Sequence, residues 1–176
     1  MVTDKNDDGS SSSLRGAIFQ SNQDTSGNAY TIQLQAGTYT LSIPNTAGHD
    51  VLNESGDLNI NGENHDLVIE GAVDGNGNPT TTIQQTVADR VFQILDPNLN
   101  PEHVTFKNLI ITGGAAVDNG GNGTAAGSTE ADGGGIMATG GFVTLSNVVL
   151  KLNIAGGGSS GHAAKGGGIY VGGEDR

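Results

Sequence analysis

Short apolar alternations recur along the chain. Tyr30-Thr31-Ile32-Gln33-Leu34 and Tyr39-Thr40-Leu41-Ser42-Ile43 place apolar and polar residues in turn. That is the period of a strand with one buried face. Leu58-Asn59-Ile60, Leu67-Val68-Ile69, Thr82-Ile83-Gln84 and Val91-Phe92-Gln93-Ile94 follow. Val104-Thr105-Phe106 with Leu109-Ile110-Ile111, and Val143-Thr144-Leu145 with Val148-Val149-Leu150, come later. Breakers such as Ala36-Gly37, Asn61-Gly62, Asn76-Gly77 and Pro101 separate the runs. A single segment has helical spacing: Leu14, Ala17 and Ile18, after serines 10–13 that offer N-cap hydroxyls. It predicts a helix over residues 13–21. No long helix separates the strands, which excludes a doubly wound α/β sheet.

Two segments repeat in a fixed order. Residues 104–111 (VTFKNLII) align with 143–150 (VTLSNVVL), 39 residues apart. Gly133-Gly134-Gly135-Ile136-Met137 aligns with Gly166-Gly167-Gly168-Ile169-Tyr170, 33 residues apart. Such repeats signal a solenoid, because one unit cannot bury its own apolar face and must stack on the next. The predicted fold is all-β: a single-stranded parallel β-helix with three short strands per rung and a short N-terminal capping helix. Roughly five to seven rungs would span about 25–35 Å. The whole chain, 1–176, reads as one domain: a cap strand and helix over 1–28, and rungs over 29–176. Glycine-rich loops at 113–132 and 154–165 interrupt the rungs and leave from the same edge. Their composition favours packing or tolerated insertions over a ligand site. Asn108 and Asn147 occupy one position of successive rungs, either as a stacked asparagine ladder or as ordinary turn residues.

Composition narrows the class further. Glycine supplies 30 of 176 residues, aromatics only 4%, and cysteine none. A disulfide framework, a thiolate metal site and a cysteine nucleophile are excluded. Seven Lys and Arg face 19 Asp and Glu, a formal charge of −12. That opposes nucleic-acid backbones and anionic membranes, and no run is apolar enough to span a bilayer. The expectation is no nucleic acid and no membrane insertion. The first residues lack a basic segment followed by an apolar run, so no leader peptide is expected within this chain.

Candidate chemistry is sparse. Asp4-Lys5-Asn6-Asp7-Asp8-Gly9 matches the first half of a calcium loop, making Asp4, Asn6 and Asp8 candidate ligands for Ca²⁺. Arg15 stands where the last, bidentate ligand of such a loop belongs. Asp74-Gly75-Asn76-Gly77-Asn78 reads as a turn. Asp57, Asp66, Glu70 and Asp74 form the densest acidic group, read as solvated turn carboxylates. His49, His65, His103 and His162 are isolated in sequence and read as surface or turn histidines. The seven basic residues are scattered, unlike the cations of a uronate lyase. No catalytic residue is assigned, and a non-enzymatic role is expected.

Ser12-Ser13-Leu14-Arg15-Gly16-Ala17-Ile18 resembles the N-terminal cap of bacterial extracellular right-handed β-helix proteins named for a C-S-L-R-E-A motif. Ser12 replaces the cysteine and Gly16 the glutamate. Residues 32–41 (IQLQAGTYTL), Gly56-Asp57-Leu58-Asn59-Ile60, residues 66–72 (DLVIEGA), Asp74-Gly75-Asn76-Gly77 and Arg90-Val91-Phe92 continue the likeness. The Gly-Gly-Ile-Met and Gly-Gly-Ile-Tyr units resemble the repeats of polymorphic outer-membrane and autotransporter passengers. The resemblance implies a right-handed helix, an extracellular or cell-surface location and a leader lost upstream. The first functional expectation is a structural solenoid: a stalk, an adhesin segment or a filament subunit. It would associate end to end through an uncapped C-terminal rung that closes on Glu174-Asp175-Arg176. The alternative is a carbohydrate-binding or polysaccharide-degrading protein with a surface glycan as partner.

Overall fold

A short strand buries alternate residues, so its inward row must find inward rows from its neighbours. The computed structural model describes residues 1–45, 48–61, 65–95, 103–156 and 161–172. It is made mostly of parallel strands, with one helix. The helix is α1 (Leu14–Asn22). The strands are β1 (Tyr30–Gln33), β2 (Gly37–Leu41), β3 (Leu58–Ile60), β4 (Leu67–Glu70), β5 (Thr81–Gln85), β6 (Phe92–Ile94) and β7 (His103–Thr112). They continue with β8 (Ala115–Ala116), β9 (Ala131–Asp132), β10 (Ile136–Ala138), β11 (Phe142–Lys151), β12 (Ile154–Ala155), β13 (Ala164–Lys165) and β14 (Ile169–Val171).

The pairings form three main columns. β1, β4 and the first halves of β7 and β11 make one. β2, β5 and the second halves of β7 and β11 make another. β3, β6, β10 and β14 make the third. Every ladder in them is parallel, and among the described residues the chain visits the columns in the same order four times, giving four tiers there. The sequence pattern suggested more.

The repeats are the register itself. Val104 pairs with Val143 and Leu109 with Val148, and Ile136 pairs with Ile169. Inward rows run Ile32–Ile69–Phe106–Leu145 and Leu58–Phe92–Ile136–Ile169 across the tiers. Phe92 and Phe106 meet across the interior with ring centroids 4.7 Å apart. Short two-residue pairs bracket the two glycine-rich loops: Ala115 with Ile154, and Ala131 with Ala164. The ends of the two loops are therefore paired at the same edge, as their sequence positions implied. Residues 157–160 of the second loop and 173–176 lie outside the described residues.

Corners between the first two columns need an unusual backbone. Asn108 and Asn147 adopt φ of 57° and 54°, the left-handed region that asparagine tolerates best after glycine. Asn147 Nδ2 donates to Asn108 Oδ1 at 2.9 Å, so the two stack as a ladder. Asn147 Nδ2 also reaches Gly77 O at 2.9 Å, at the tip of the 74–78 turn. That turn is built by Asp74, whose Oδ1 accepts from the Asn76 and Asn78 amides.

The helix closes one end. Ser13 Oγ accepts from the Gly16 amide, a standard N-cap. Leu14, Ala17 and Ile18 are buried against the first tier, joined by Val2, which bridges Leu34. Gly16 is explained by close packing: a Cβ there would collide with the Ser10 carbonyl oxygen.

Candidate functional site

The tiers leave a corner beside β3 and β6 that apolar residues do not fill. Asp57 directly precedes β3, and Asp89-Arg90 stands just before β6, so the parallel pairing brings them together. Residues 44–45 and 48–57 lie over this corner, with Asn45 bonded to Asp89 and His49 beside Asp57. The glycine-rich loop then docks on them: His49 N donates to Thr124 O, and Gly123 N to His49 O, at 2.9 and 2.7 Å. This docking delivers Asp118 to the same place.

The result is a sealed cluster of Arg90, Asp57, Asp89, Asp118, His49 and Gln93, each at most 2% exposed. Arg90 spends its donors on Asp118 (Nη2 to O at 2.7 Å and to Oδ1 at 2.9 Å), Gln93 Oε1 (3.1 Å) and Asp132 O (3.3 Å). Its Nη1 lies 3.5 Å from Asp57 Oδ2. Asp89 Oδ2 accepts from Asn45 Nδ2 and the Asp57 amide, while Oδ1 accepts from the Arg90 amide. Gln93 Nε2 donates to Gly120 O at 2.8 Å, which turns its Oε1 toward His49 Nε2 at 2.6 Å. An amide oxygen only accepts, so Nε2 carries the imidazole proton. Nδ1 faces Asp118 Oδ1 at 3.5 Å and Asp89 Oδ1 at 3.8 Å.

Three carboxylates around one guanidinium leave an excess of negative charge. Burial pushes the Asp57 carboxyl well above the usual range, and Asp89 adds to the shift, while Arg90 and Arg15 oppose it. Burial works against the charge on Arg90, but the three carboxylates outweigh it and raise its pKa.

His49, Asp57 and Asp89 bring ligand atoms within 4.8 Å of one another, a spacing that suits a metal ion. The guanidinium of Arg90 already lies among them, however, 3.3–3.4 Å from both ring nitrogens of His49. The arrangement therefore holds a fixed organic cation, and its chemistry is that of a staple. A cleft of about 440 Å³ adjoins it, with His49, Asp118, Val87, Val117 and Thr124 in its lining.

A second buried arginine ties the cap to the first tier. Arg15 Nε and Nη2 pair with both oxygens of Asp7, at 2.6 and 3.1 Å. Nη1 and Nη2 also donate to the carbonyls of Ser55, Gly56 and Asp57. Asp7 Oδ2 further accepts from the Ser42 and Ile43 amides.

The candidate calcium residues share one exposed loop. Asp4 Oδ1 accepts from the Asn6 amide and side chain, and Asp8 Oδ1 from the Ser10 amide. Asp7, which the motif skips, is the one that reaches the interior. Several sequence readings are corrected. Asp57 is no solvated turn carboxylate but fully buried, and His49 and His65 are not surface histidines. His65 Nε2 lies 3.0 Å from Ser21 Oγ, an unforeseen pairing, yet both residues are sealed and Nδ1 has no partner. Nothing there gives a serine nucleophile access to substrate. His103 and His162 are exposed as expected. The first glycine-rich loop is a packing loop, but it carries the buried acids Asp118 and Asp132, which its composition concealed. One signal was available: Asp89-Arg90, a charged pair abutting the buried run Val91-Phe92.

Comparisons with protein families, with curated proteins and with solved structures return no match.

Proposed function

We propose that the chain is a stretch of right-handed parallel β-helix serving as a non-enzymatic structural module, a stalk or filament subunit at an extracellular or cell surface. The observation that carries this reading is the contrast between the third and fourth tiers. In β7, Val104, Phe106, Leu109 and Ile111 are fully buried. Their register partners in β11 are partly exposed, Leu145 by 40%, and among the described residues β11 pairs with β7 alone. This tier offers a ready strand edge and an apolar row on which a further tier can stack. The opposite end is covered by α1. The buried polar groups support the same reading, since the donors of Arg15 and Arg90 are committed to holding segments of the chain together. The resemblance to surface β-helix proteins supports the location.

The occupant proposed for this tier is a second copy of the chain, giving growth by a contact that does not close. Negative-stain microscopy and sedimentation across a concentration series test it. The expected result is concentration-dependent filaments with a regular axial repeat. Leu145→Lys is expected to stop assembly while the circular dichroism spectrum is retained. Particles that stay monomeric at every concentration would overturn self-assembly, and discrete dimers would replace the filament with a closed pairing of two such tiers.

A further inference from the structure

Head-to-tail growth needs an acceptor for the fourth tier, and the first tier matches it row by row. Through the successive ladders Tyr30 lies in register with Val143, Thr31 with Thr144 and Ile32 with Leu145. Leu58 and Ile60 lie in register with Ile169 and Val171. A first tier set on a fourth tier would therefore place apolar on apolar and threonine on threonine. The polarity fits as well. Tyr30 and Leu34 give their amides to the second tier, as Gly37 does. Alternate residues of a parallel strand turn their main chain to the other side, so Thr31, Gln33 and Thr40 present theirs to the end of the stack.

That end is taken by the chain's own first residues. Val2 N donates to Gln33 O, Thr40 N to Lys5 O, and the Ser42 and Ile43 amides to Asp7 Oδ2. Residues 2–7 thus occupy the edge where a strand would pair, and α1 lays Leu14, Ala17 and Ile18 over the apolar rows. The cover is joined to β1 by residues 23–29, which are exposed but for half-buried Asp24. Among the described residues, the hydrogen bonds of 23–28 close within 19–28, and Gly27 has a φ of 72°. This is the build of a hinge. What holds the cover shut lies elsewhere: Arg15 on the carbonyls of Ser55, Gly56 and Asp57, and Asn22 between Asn59 O and the Asn61 amide.

We propose that residues 1–22 are an autoinhibitory cap that swings out on the 23–29 hinge, and that the first tier so uncovered receives the fourth tier of a second copy. This rests on the filament reading and supplies its second surface. The cap and the incoming tier compete for the same edge groups. The closed monomer is therefore stable alone, and growth waits on a local opening.

A disulfide tests it, in a chain that has no cysteine of its own. Val2 and Leu34 are bridge partners with buried side chains. Paired strands stand about 4.8 Å apart, within disulfide range. The oxidised double variant Val2→Cys with Leu34→Cys is expected to stay monomeric at concentrations where its reduced form gives filaments. Filaments in both redox states would overturn the cap and leave the filament standing. Filaments in neither state, with none from the parent chain, would remove both. Trypsin gives a second measure on the parent chain. Arg15 is 2% exposed in the closed form, and filaments are expected to be cut after it at least about tenfold faster than monomers. Equal rates would overturn the proposal. Asn22→Ala, which loses both bonds to the first tier, is expected to shorten the lag before growth about fivefold. An unchanged lag would overturn gating by the cap.

Discussion

Arg15 and Arg90 are both buried, and both bind main-chain carbonyls from other parts of the chain, yet they sit in opposite electrostatic regimes. Arg15 faces one carboxylate, Asp7, and the pair is neutral. Arg90 faces Asp57, Asp89 and Asp118. The first is a closed account of charge, and its geometry is a bidentate fork plus three carbonyls. The second is overfilled with acid, and burial together with Asp89 pushes the Asp57 carboxyl well above its usual range. The Arg90 joint thus has a titrating member built in. The difference traces to chain origin. Arg15 meets acid from its own terminal segment, whereas Arg90 gathers acids from three separate stretches of chain, at 57, 89 and 118.

Removing Arg90 is the largest test of this contrast. Arg90→Ala strands buried carboxylates and is expected to cost about 3–5 kcal/mol in urea unfolding. Arg90→Lys is expected to recover little, because an ammonium cannot span Asp118, Gln93 and the Asp132 carbonyl. Arg15→Ala should cost less, about 2–3 kcal/mol, since Asp7 keeps the Ser42 and Ile43 amides as donors. Equal losses would dissolve the distinction.

The pH dependence sharpens it. The folded pKa of Asp57 is raised, so the folded state binds its proton more tightly than the unfolded chain does. Its contribution to stability is fully present below the unfolded value, about 3.9, and is lost as pH rises through the folded value. Stability should therefore fall on going from acid toward neutral pH, by at most about 1.4 kcal/mol per pH unit from this group. Asp57→Asn is expected to flatten that limb and to raise stability at neutral pH. An unaltered pH profile in Asp57→Asn would show that Asp57 is not the titrating member.

Smaller effects test the periphery. Asn108→Ala forces a left-handed residue to carry a Cβ without its side-chain bond, at about 1–2 kcal/mol. The exposed calcium proposal carries the smallest effect. Added calcium is expected to raise Tm by a few degrees and Asp4→Ala to abolish the rise; no shift in the parent protein would retire Asp4, Asn6 and Asp8 as ligands.

Local chemistry was legible in the sequence wherever it repeats. The alternation in Val104-Thr105-Phe106 and the spacing to Val143-Thr144-Leu145 announce both the strand and its partner, because parallel stacking turns a repeat into a register. Asn108 and Asn147 were visible for the same reason. The polar corner was not. Asp57, Asp89 and Asp118 occur once each, in irregular segments, and become buried only when the glycine-rich loop folds down onto His49. Glycine hides such an event, since a chain with few side chains gives no periodicity from which to read a buried face. Asp7 was missed by the opposite error: the motif drew attention to its exposed neighbours.

The matched register of residues 104–111 and 143–150 bears on how such a chain changes over generations. An unequal exchange between the two stretches of coding sequence would insert or delete one whole tier and leave every remaining strand in phase. Reach would then be a quantity inherited in discrete steps. The acid carried by the intervening loop would be copied with each step, while Arg90, which lies outside the exchanged segment, would not.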